Sequence, residues 1–377
     1  MSMDFLKEIQ KVNEMADFVE DSSLGNITEF ISTGSYTLNG ILSGDLFGGI
    51  PAGRVSAFMG KSSTGKSFLT ARIAREAQKK GYDVIWFESE NATDKFFLQR
   101  CGVDTRKVII LPINTVEEFR NQAIKVIDLF EAAKAADPNK KMMLILDSLG
   151  NLPIEKELKD ADEGKSAQDM GTRSKVIRSL SRVLTMPIAK MQIPMVVVNH
   201  TYTNASGYVP IEVPSGGEGV IYISSIICLL TKQAIKEEIV GEKYKQLTGN
   251  ILKARTTKNR VVPEGKIAET KVDFAEGVDP YYGLLPWAEA AGLVEKISTS
   301  WYVKHLDKKI FEKNIYTPEV WEPILQELNV WVKQNVAYSS ISDSCPDRAS
   351  DVGGVDDVEG QVDTVVVSKS KAKKGKS

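Results

Sequence analysis

Eight consecutive residues, Gly60, Lys61, Ser62, Ser63, Thr64, Gly65, Lys66 and Ser67, fit the pattern of a glycine, four free positions, then Gly-Lys-Ser. Each fixed position has a physical reason. The glycines let backbone N–H groups converge on phosphate oxygens where a helix begins. Lys66 reaches the outer phosphates as a point charge, and the Ser67 hydroxyl is suited to Mg²⁺. The context agrees: "RVSAFMG" reads as a strand entering the turn, and "SFLTARIAREAQKKG" as a helix leaving it. Gly60 to Phe68 is therefore the predicted nucleotide cradle.

A cation at Ser67 needs a second oxygen ligand. Asp147 ends the apolar run "MMLILD", where a buried strand delivers an acid to the loop side of a sheet. Hydrolysis also needs a group that positions water. Glu90, closing "VIWFESE", is the candidate; Glu88 competes but is expected to face away. No guanine-specifying Asn-Lys-x-Asp occurs, so ATP with Mg²⁺ is the expected ligand.

These residues need a frame. Near-unbroken apolar runs, "KVIILPI" and "MMLILDS", suit strands buried on both faces of a parallel sheet. Helical patterns alternate with them, and Thr115 to Glu118 forms a capping box. The fold class is α/β, a doubly wound and mostly parallel sheet spanning 33–275. Ahead of it, Leu6, Ile9, Val12, Ala16 and Val19 predict an amphipathic helix over 3–20, and "NITEFIS" (26–32) a short strand, giving an N-terminal arm over 1–32. Four tryptophans among short elements mark 276–337 as a small C-terminal α+β domain. The remainder, 338–377, has few large apolar residues and turns from acidic to basic, as a disordered tail does.

Composition narrows the partners. The 377 residues are 42% hydrophobic and 26% charged, with a net charge of −2, so no global field draws the chain to DNA or an acidic membrane. No run of about 18 uncharged apolar residues occurs, so no membrane span is expected. Cys101, Cys228 and Cys345 fit no metal or disulfide spacing, which suits a reducing cytoplasm. Asp4, Lys7 and Glu8 interrupt the N-terminal apolar residues, so a signal peptide is not expected.

One stretch fits none of this. Val196 to Val198 reads as a buried strand, then Asn199 and His200 lead into a long structureless loop over 201–219 without Lys or Arg. Loops of that length are usually functional or disordered. Positive charge lies upstream, at Arg173, Lys175, Arg178 and Arg182, and the last three can share one helical face.

With these residues placed, the chain resembles the RecA-type recombinases, most of all their UvsX-like phage branch, over about residues 27–305. "STGSYTLNGILSGDLFGGIPAGRVSAFMGKSSTGKS" reads like that family's entry into its nucleotide fold. "ESENATDKFFLQRCGVD", "LDSLGNLPIEKE", "DMGTRSK", "NHTY", "SGGEGVIY" and "EGVDPYYGLL" follow in the family's order. The resemblance implies that Glu90 is the catalytic carboxylate and that Asp94 and Phe97 flank the adenine. It implies that Lys253 and Arg255 reach a neighbour's γ-phosphate, and that the N-terminal helix docks on an adjacent subunit. It makes 155–169 and 201–219 the first and second DNA loops. Arg173, Lys175, Arg178 and Arg182 are then the expected DNA-binding cations, Arg178 and Arg182 matching backbone contacts, and Gly216 and Gly217 match a phosphate site. Tyr202 and Tyr208 are suited to stack on bases, and His200 holds the place of a polar γ-phosphate sensor.

The implied activity is DNA-dependent ATP hydrolysis coupled to strand exchange, within a self-assembled helical filament. The implied partners are single-stranded DNA, homologous duplex DNA, a single-strand-binding protein and a loader, in a host bacterial cytoplasm if phage-encoded. A ring-forming hexameric helicase and a mediator paralogue with little ATPase activity remain as alternatives. The tail departs from the family pattern: it ends in Lys369, Lys371, Lys373, Lys374 and Lys376, where relatives often finish acidic.

Overall fold

The computed structural model describes residues 3–19, 21–22, 24–165, 170–204, 211–215, 219–238 and 245–338. It opens with α1 (Met3–Val12), shorter than the helix expected over 3–20. The cause is local: the Asn13 side-chain oxygen accepts the Met15 N–H at 3.0 Å and diverts the backbone from helical pairing. Only Leu6 of α1 is buried, while Phe5, Ile9 and Val12 stay exposed. β1 (Phe30–Ile31) then pairs antiparallel with β2 (Ile50–Pro51). Between them lies α2 (Tyr36–Ser43), capped by Ser35 and stopped by Gly44 in the left-handed region at φ 72°.

Strand and helix alternate from there, in β3 (Val55–Gly60), α3 (Lys66–Lys79), β4 (Tyr82–Glu88), α4 (Lys95–Arg100), β5 (Val108–Pro112), α5 (Val116–Ala136) and β6 (Lys141–Asp147). Next come α6 (Glu155–Asp162), α7 (Met170–Met191), β7 (Met195–Asn204), β8 (Ile211–Pro214) and α8 (Gly219–Ile223). β9 (Ile226–Glu238), β10 (Lys245–Asn259), β11 (Ile267–Asp273) and β12 (Gly277–Val278) close the sheet as an antiparallel meander.

The strand order is β12-β11-β10-β9-β3-β7-β6-β4-β5, and the six strands from β9 to β5 run parallel. This is the doubly wound, mostly parallel fold expected. Strand alternation feeds two cores. Ala57 and Met59 of β3 join Phe87, Phe119 and Leu180 on the α5/α7 face, and Phe58 joins Leu38, Leu69 and Trp86 on the α2/α3 face.

β5 departs from expectation. Its unbroken apolar run suggested burial on both faces, but it is the sheet edge. Ile109 is 58% exposed there, and Leu129 of α5 is 72% exposed. A groove of about 430 Å³ lies between them, lined by Ile85, Ile109, Leu111, Leu129, Phe130 and Met142 among others.

After β12 come α9 (Leu285–Ala290), a three-stranded antiparallel sheet of β13 (Val294–Ile297), β14 (Ser300–Val303) and β15 (Lys308–Phe311), α10 (Pro318–Trp321) and α11 (Leu325–Asn335). Their core holds Trp301, Trp321 and Leu328. They are fastened to the α2 end. Asn329 Oδ1 accepts from Leu46 N–H at 2.7 Å, and Lys333 meets Asp45 at 2.8 Å. Trp287 covers Gly40 so closely that a Cβ there would lie 2.6 Å from the ring. Residues 1–339 form one compact unit. Apart from its first residue, Tyr338, the expected tail lies outside the described residues. Among the described residues, no helix is long and apolar enough to cross a membrane.

Candidate functional site

β3 delivers the glycine-rich turn to the middle of the sheet, between β9 and β7. Gly60 is there because a Cβ would lie 2.4 Å from the Leu230 carbonyl oxygen. Gly65 sits at φ 89°, where L side chains are strained, and turns the chain into α3 with no side-chain cap. The first N–H groups of α3 therefore face the loop. A cavity of about 250 Å³ lies over them, lined by Ser62 through Phe68 and by Glu90, Asp147, Val198 and His200. Lys66 is buried, and its Nζ donates to the carbonyls of Gly60 (3.0 Å) and Lys61 (2.8 Å).

Neighbouring strands supply the remaining groups. Asp147 ends β6 and lines the same cavity as Ser67, which favours its charged form. Parallel register sets His200 of β7 level with Gly60. Glu90 arrives differently from the sequence expectation. Residues two apart on a regular strand share a face, so alternation alone would not separate Glu88 from Glu90. They diverge because β4 ends at Glu88 and the chain turns: Glu88 is buried and accepts the Glu90 N–H at 2.9 Å, while the Glu90 carboxylate faces the cavity. Glu90 Oε1 accepts from Ser148 Oγ at 2.5 Å and from His200 Nε2 at 2.8 Å. His200 Nδ1 lies 3.5 Å from Lys66 Nζ. These neighbours favour the tautomer with the proton on Nε2.

Charge follows placement. Burial pushes the Asp147 carboxyl up to about 7, with Glu88 and Glu90 adding repulsion against the help of Ser67 and Lys66. Burial also raises Glu90, but the hydrogen bonds from Ser148 and His200 and the Lys66 charge outweigh it. Glu90 thus stays below the usual carboxylate range. Burial lowers Lys66 against the pull of Asp147 and Glu90. Asp147 and Ser67 are the oxygens here that could hold a divalent cation. Among the described residues no fuller metal cage of His, Cys, Asp and Glu occurs, so phosphate oxygens and water would complete the coordination.

The stretch after His200 is more ordered than expected. β7 runs on to Asn204 and pairs antiparallel with β8, from Thr201 opposite Pro214 to Asn204 opposite Ile211. Thr201 and Thr203 donate to Glu212 at 2.8 and 2.9 Å, and that carboxylate meets Lys61 of the phosphate loop at 3.2 Å. Tyr202 stands half exposed on the same stem. Tyr208, Gly216 and Gly217 lie outside the described residues. The first expected loop, 155–169, begins as helix α6, because "EKELKDAD" is rich in helix formers and Glu157 accepts the Ile154 N–H at 3.1 Å; residues 166–169 are not described.

Of the four cations upstream, Lys175, Arg178 and Arg182 line one cavity of about 300 Å³ with Tyr222 of α8. The Arg178 guanidinium lies 5.8 Å from the Tyr222 ring centre. Arg173 turns inward instead, donating to Glu157 at 3.0 Å and to the Gly150 carbonyl at 3.1 Å. Lys253 pairs with Glu269 across β10 and β11 at 3.5 Å, and neither it nor Arg255 lines the phosphate cavity. Asp94 caps α4 by accepting the Phe97 N–H at 2.7 Å, and Phe97 is half-buried against the core; neither lines that cavity. Sequence reasoning passed over Ser148, Glu212 and Tyr222. Only Ser148, beside Asp147, carried a local signal; the other two are set by tertiary pairing.

A phosphate loop at the centre of a doubly wound sheet, with an acid on a nearby strand end and a histidine level with the loop's first glycine, defines a phosphate-loop α/β core. The family described as RecA N-terminal domain matches residues 5–279, and the chain belongs to that family. It is 29% identical over 354 residues to the recombination and repair protein of Enterobacteria phage T4, covering 92% of this chain and 86% of that one. It is 28% identical over 282 residues to Protein RecA of Wolinella succinogenes, 74% of each chain. With Protein RecA of Thermus aquaticus the identity is 29% over 280 residues, 73% of this chain and 75% of the other.

Proposed function

We propose that this protein drives ATP-dependent homologous recombination: it assembles on single-stranded DNA, hydrolyses ATP in response, and exchanges that strand into a homologous duplex. The observation that carries the reading is the connected set Lys66, His200, Glu90, in which the phosphate loop touches the strand that becomes the hairpin stem. ATP and Mg²⁺ fit the site: the oxygens of Asp147 and Ser67 line the cavity that Lys66 and the α3 N-terminus also face. Bound Mg²⁺ neutralises charge on the outer phosphates.

The chain's own groups divide the remaining work. Ser67 and Asp147 hold the cation, and Lys66 exchanges loop carbonyls for phosphate oxygens. Glu90, kept ionised, orients the attacking water and takes its proton. His200 senses the phosphate end and passes the change along β7. Lys175, Arg178 and Arg182 grip the DNA backbone, so binding is indifferent to base sequence and weakens steeply with salt. Tyr202, Tyr208, Gly216 and Gly217 complete the second contact.

Assembly uses two incomplete surfaces. The exposed apolar stripe of α1 suits the open groove beside β5 on a neighbour, a head-to-tail contact that propagates as a helix. Lys253 and Arg255 are the first candidates to reach the neighbour's phosphates. A second basic pair, Lys258 and Arg260, brackets the end of β10. Burial and then the Arg260 charge lower Lys258, a repulsion that an incoming anion relieves. A single-strand-binding protein and a loader are the expected accessory partners, in a cytoplasm.

The test is strand exchange between a circular single strand and a homologous linear duplex, with ATP and with no nucleotide. Joint molecules that form only with ATP support the reading. Absent exchange together with closed hexamers in electron micrographs would replace it with a ring-forming motor, and a DNA-stimulated ATPase rate near zero with a mediator.

A further inference from the structure

The turn after β6 is a junction between the segments proposed to hold DNA. The Gly150 carbonyl accepts from Arg173 Nη2 at 3.1 Å and from Ser215 Oγ at 3.4 Å. Arg173 Nη1 donates to Glu157 Oε2 at 3.0 Å, the oxygen that also accepts the Ile154 N–H where α6 begins. Ser215, just past β8, donates its N–H to the His200 carbonyl at 2.8 Å and accepts from Asn199 Nδ2 at 3.1 Å. The junction is tight: a Cβ at Gly150 would lie 2.7 Å from Asn199 Oδ1. Two residues upstream, Ser148 holds Glu90.

Arg173, standing on α7, thus bonds both α6 and the Gly150 turn. Its side chain is 17% exposed, whereas Lys175, Arg178 and Arg182 line an open cavity on another face of that helix. We infer that Arg173 is a positioning residue, not a DNA contact. It clamps α6 and, through Gly150 and Ser215, the base of the hairpin to the turn after β6, so the two DNA segments act as one unit. The inference rests on the reading that these segments bind DNA.

The position in sequence suggests a phosphate contact, and the two roles separate in salt. A phosphate contact adds about 0.7 to the slope of log affinity against log salt on a single strand. A positioning residue changes affinity without changing the slope. The experiment follows the anisotropy of a labelled oligothymidylate bound by the full chain with ATP and Mg²⁺, across a sodium chloride series. Arg182→Ala serves as the phosphate-contact reference, and thermal unfolding and DNA-free nucleotide binding check the fold.

Arg173→Gln and Glu157→Gln are expected each to weaken binding roughly tenfold at an unchanged slope. The double variant is expected to be no weaker than either single one. Arg173→Lys, which keeps one bond to Glu157, is expected to fall between wild type and Arg173→Gln, and it carries the test if Arg173→Gln does not fold. Three results overturn the inference: a slope reduced by Arg173→Gln as by Arg182→Ala, unchanged binding in both junction variants, or tighter binding by Glu157→Gln, which loss of a negative charge beside DNA would otherwise produce. Failure of the wild-type chain to bind the oligonucleotide would instead sink the functional reading.

Discussion

Replacing His200 by alanine tests whether nucleotide and DNA communicate through the site. Two contacts are lost, Nε2 to Glu90 at 2.8 Å and Nδ1 to Lys66 at 3.5 Å. The second is at the limit of a hydrogen bond and contributes little. The first is charge-assisted, a class worth about 1.5–3 kcal/mol when well sheltered. Here 24% of the histidine and 26% of the glutamate side chain remain exposed, and solvent screening reduces the contact to about 1–2 kcal/mol. At about 1.4 kcal/mol per factor of ten, ATP's enhancement of single-strand affinity should fall by about 5- to 30-fold. The assay is a titration of labelled oligonucleotide with ATP, with ADP and without nucleotide, repeated as a nucleotide titration with and without oligonucleotide. Linkage requires the same loss in both directions. A His200→Ala protein whose DNA affinity responds to ATP as the wild type does would refute the reasoning, since the rest of β7 is untouched.

Four further outcomes are expected. Glu90→Gln should slow ATP hydrolysis by about 10²- to 10⁴-fold and leave long-lived DNA-bound filaments, visible by electron microscopy; normal turnover would withdraw Glu90 from its role. In Mg²⁺-free buffer, Asp147 favours the folded state at low pH. Its raised folded pKa means that the native chain binds a proton the unfolded chain has released, so stability is full below about pH 4 and declines as pH rises through about 7. Melting curves should show that decline, and Asp147→Asn should flatten it. Leu129→Lys should abolish filaments in light scattering while shifting monomer stability by no more than about 0.5 kcal/mol, because the side chain is already in solvent. Lys258→Ala with Arg260→Ala, compared with Lys253→Ala and Arg255→Ala, should identify the pair that serves a neighbour: only that pair lowers filament ATPase while leaving nucleotide binding by dilute subunits intact.

What could be read from the chain was what depends on near neighbours. The turn Gly60 to Ser67 is a local object, fixed by two glycines and the strand and helix beside it. Asp147 was legible because an apolar run that stops at an acid must end at a sheet's rim. β5 misled because hydrophobicity reports that a surface seeks cover without saying which molecule provides it. α1 ended early because one asparagine side chain competed with the backbone. The hairpin of β7 and β8 escaped notice because its pairing joins residues up to 13 apart, Thr201 and Pro214, with no apolar alternation to advertise it. Arg173 looked like its three neighbours because spacing along a helix does not say that an acid and a carbonyl already wait for one of them.

The continuity of β7 also limits how this chain can vary. From His200 to Asn204 is four steps of about 3.3 Å, one stiff rod of roughly 13 Å leading from the buried sheet to the end of β7. Adding or deleting a single residue within that rod would turn Thr203 away from Glu212 and bring Tyr202 to its place, since side chains swap sides at every step. Length changes between His200 and Asn204 are therefore costly, because they would break the gearing of β7 to the phosphate cradle.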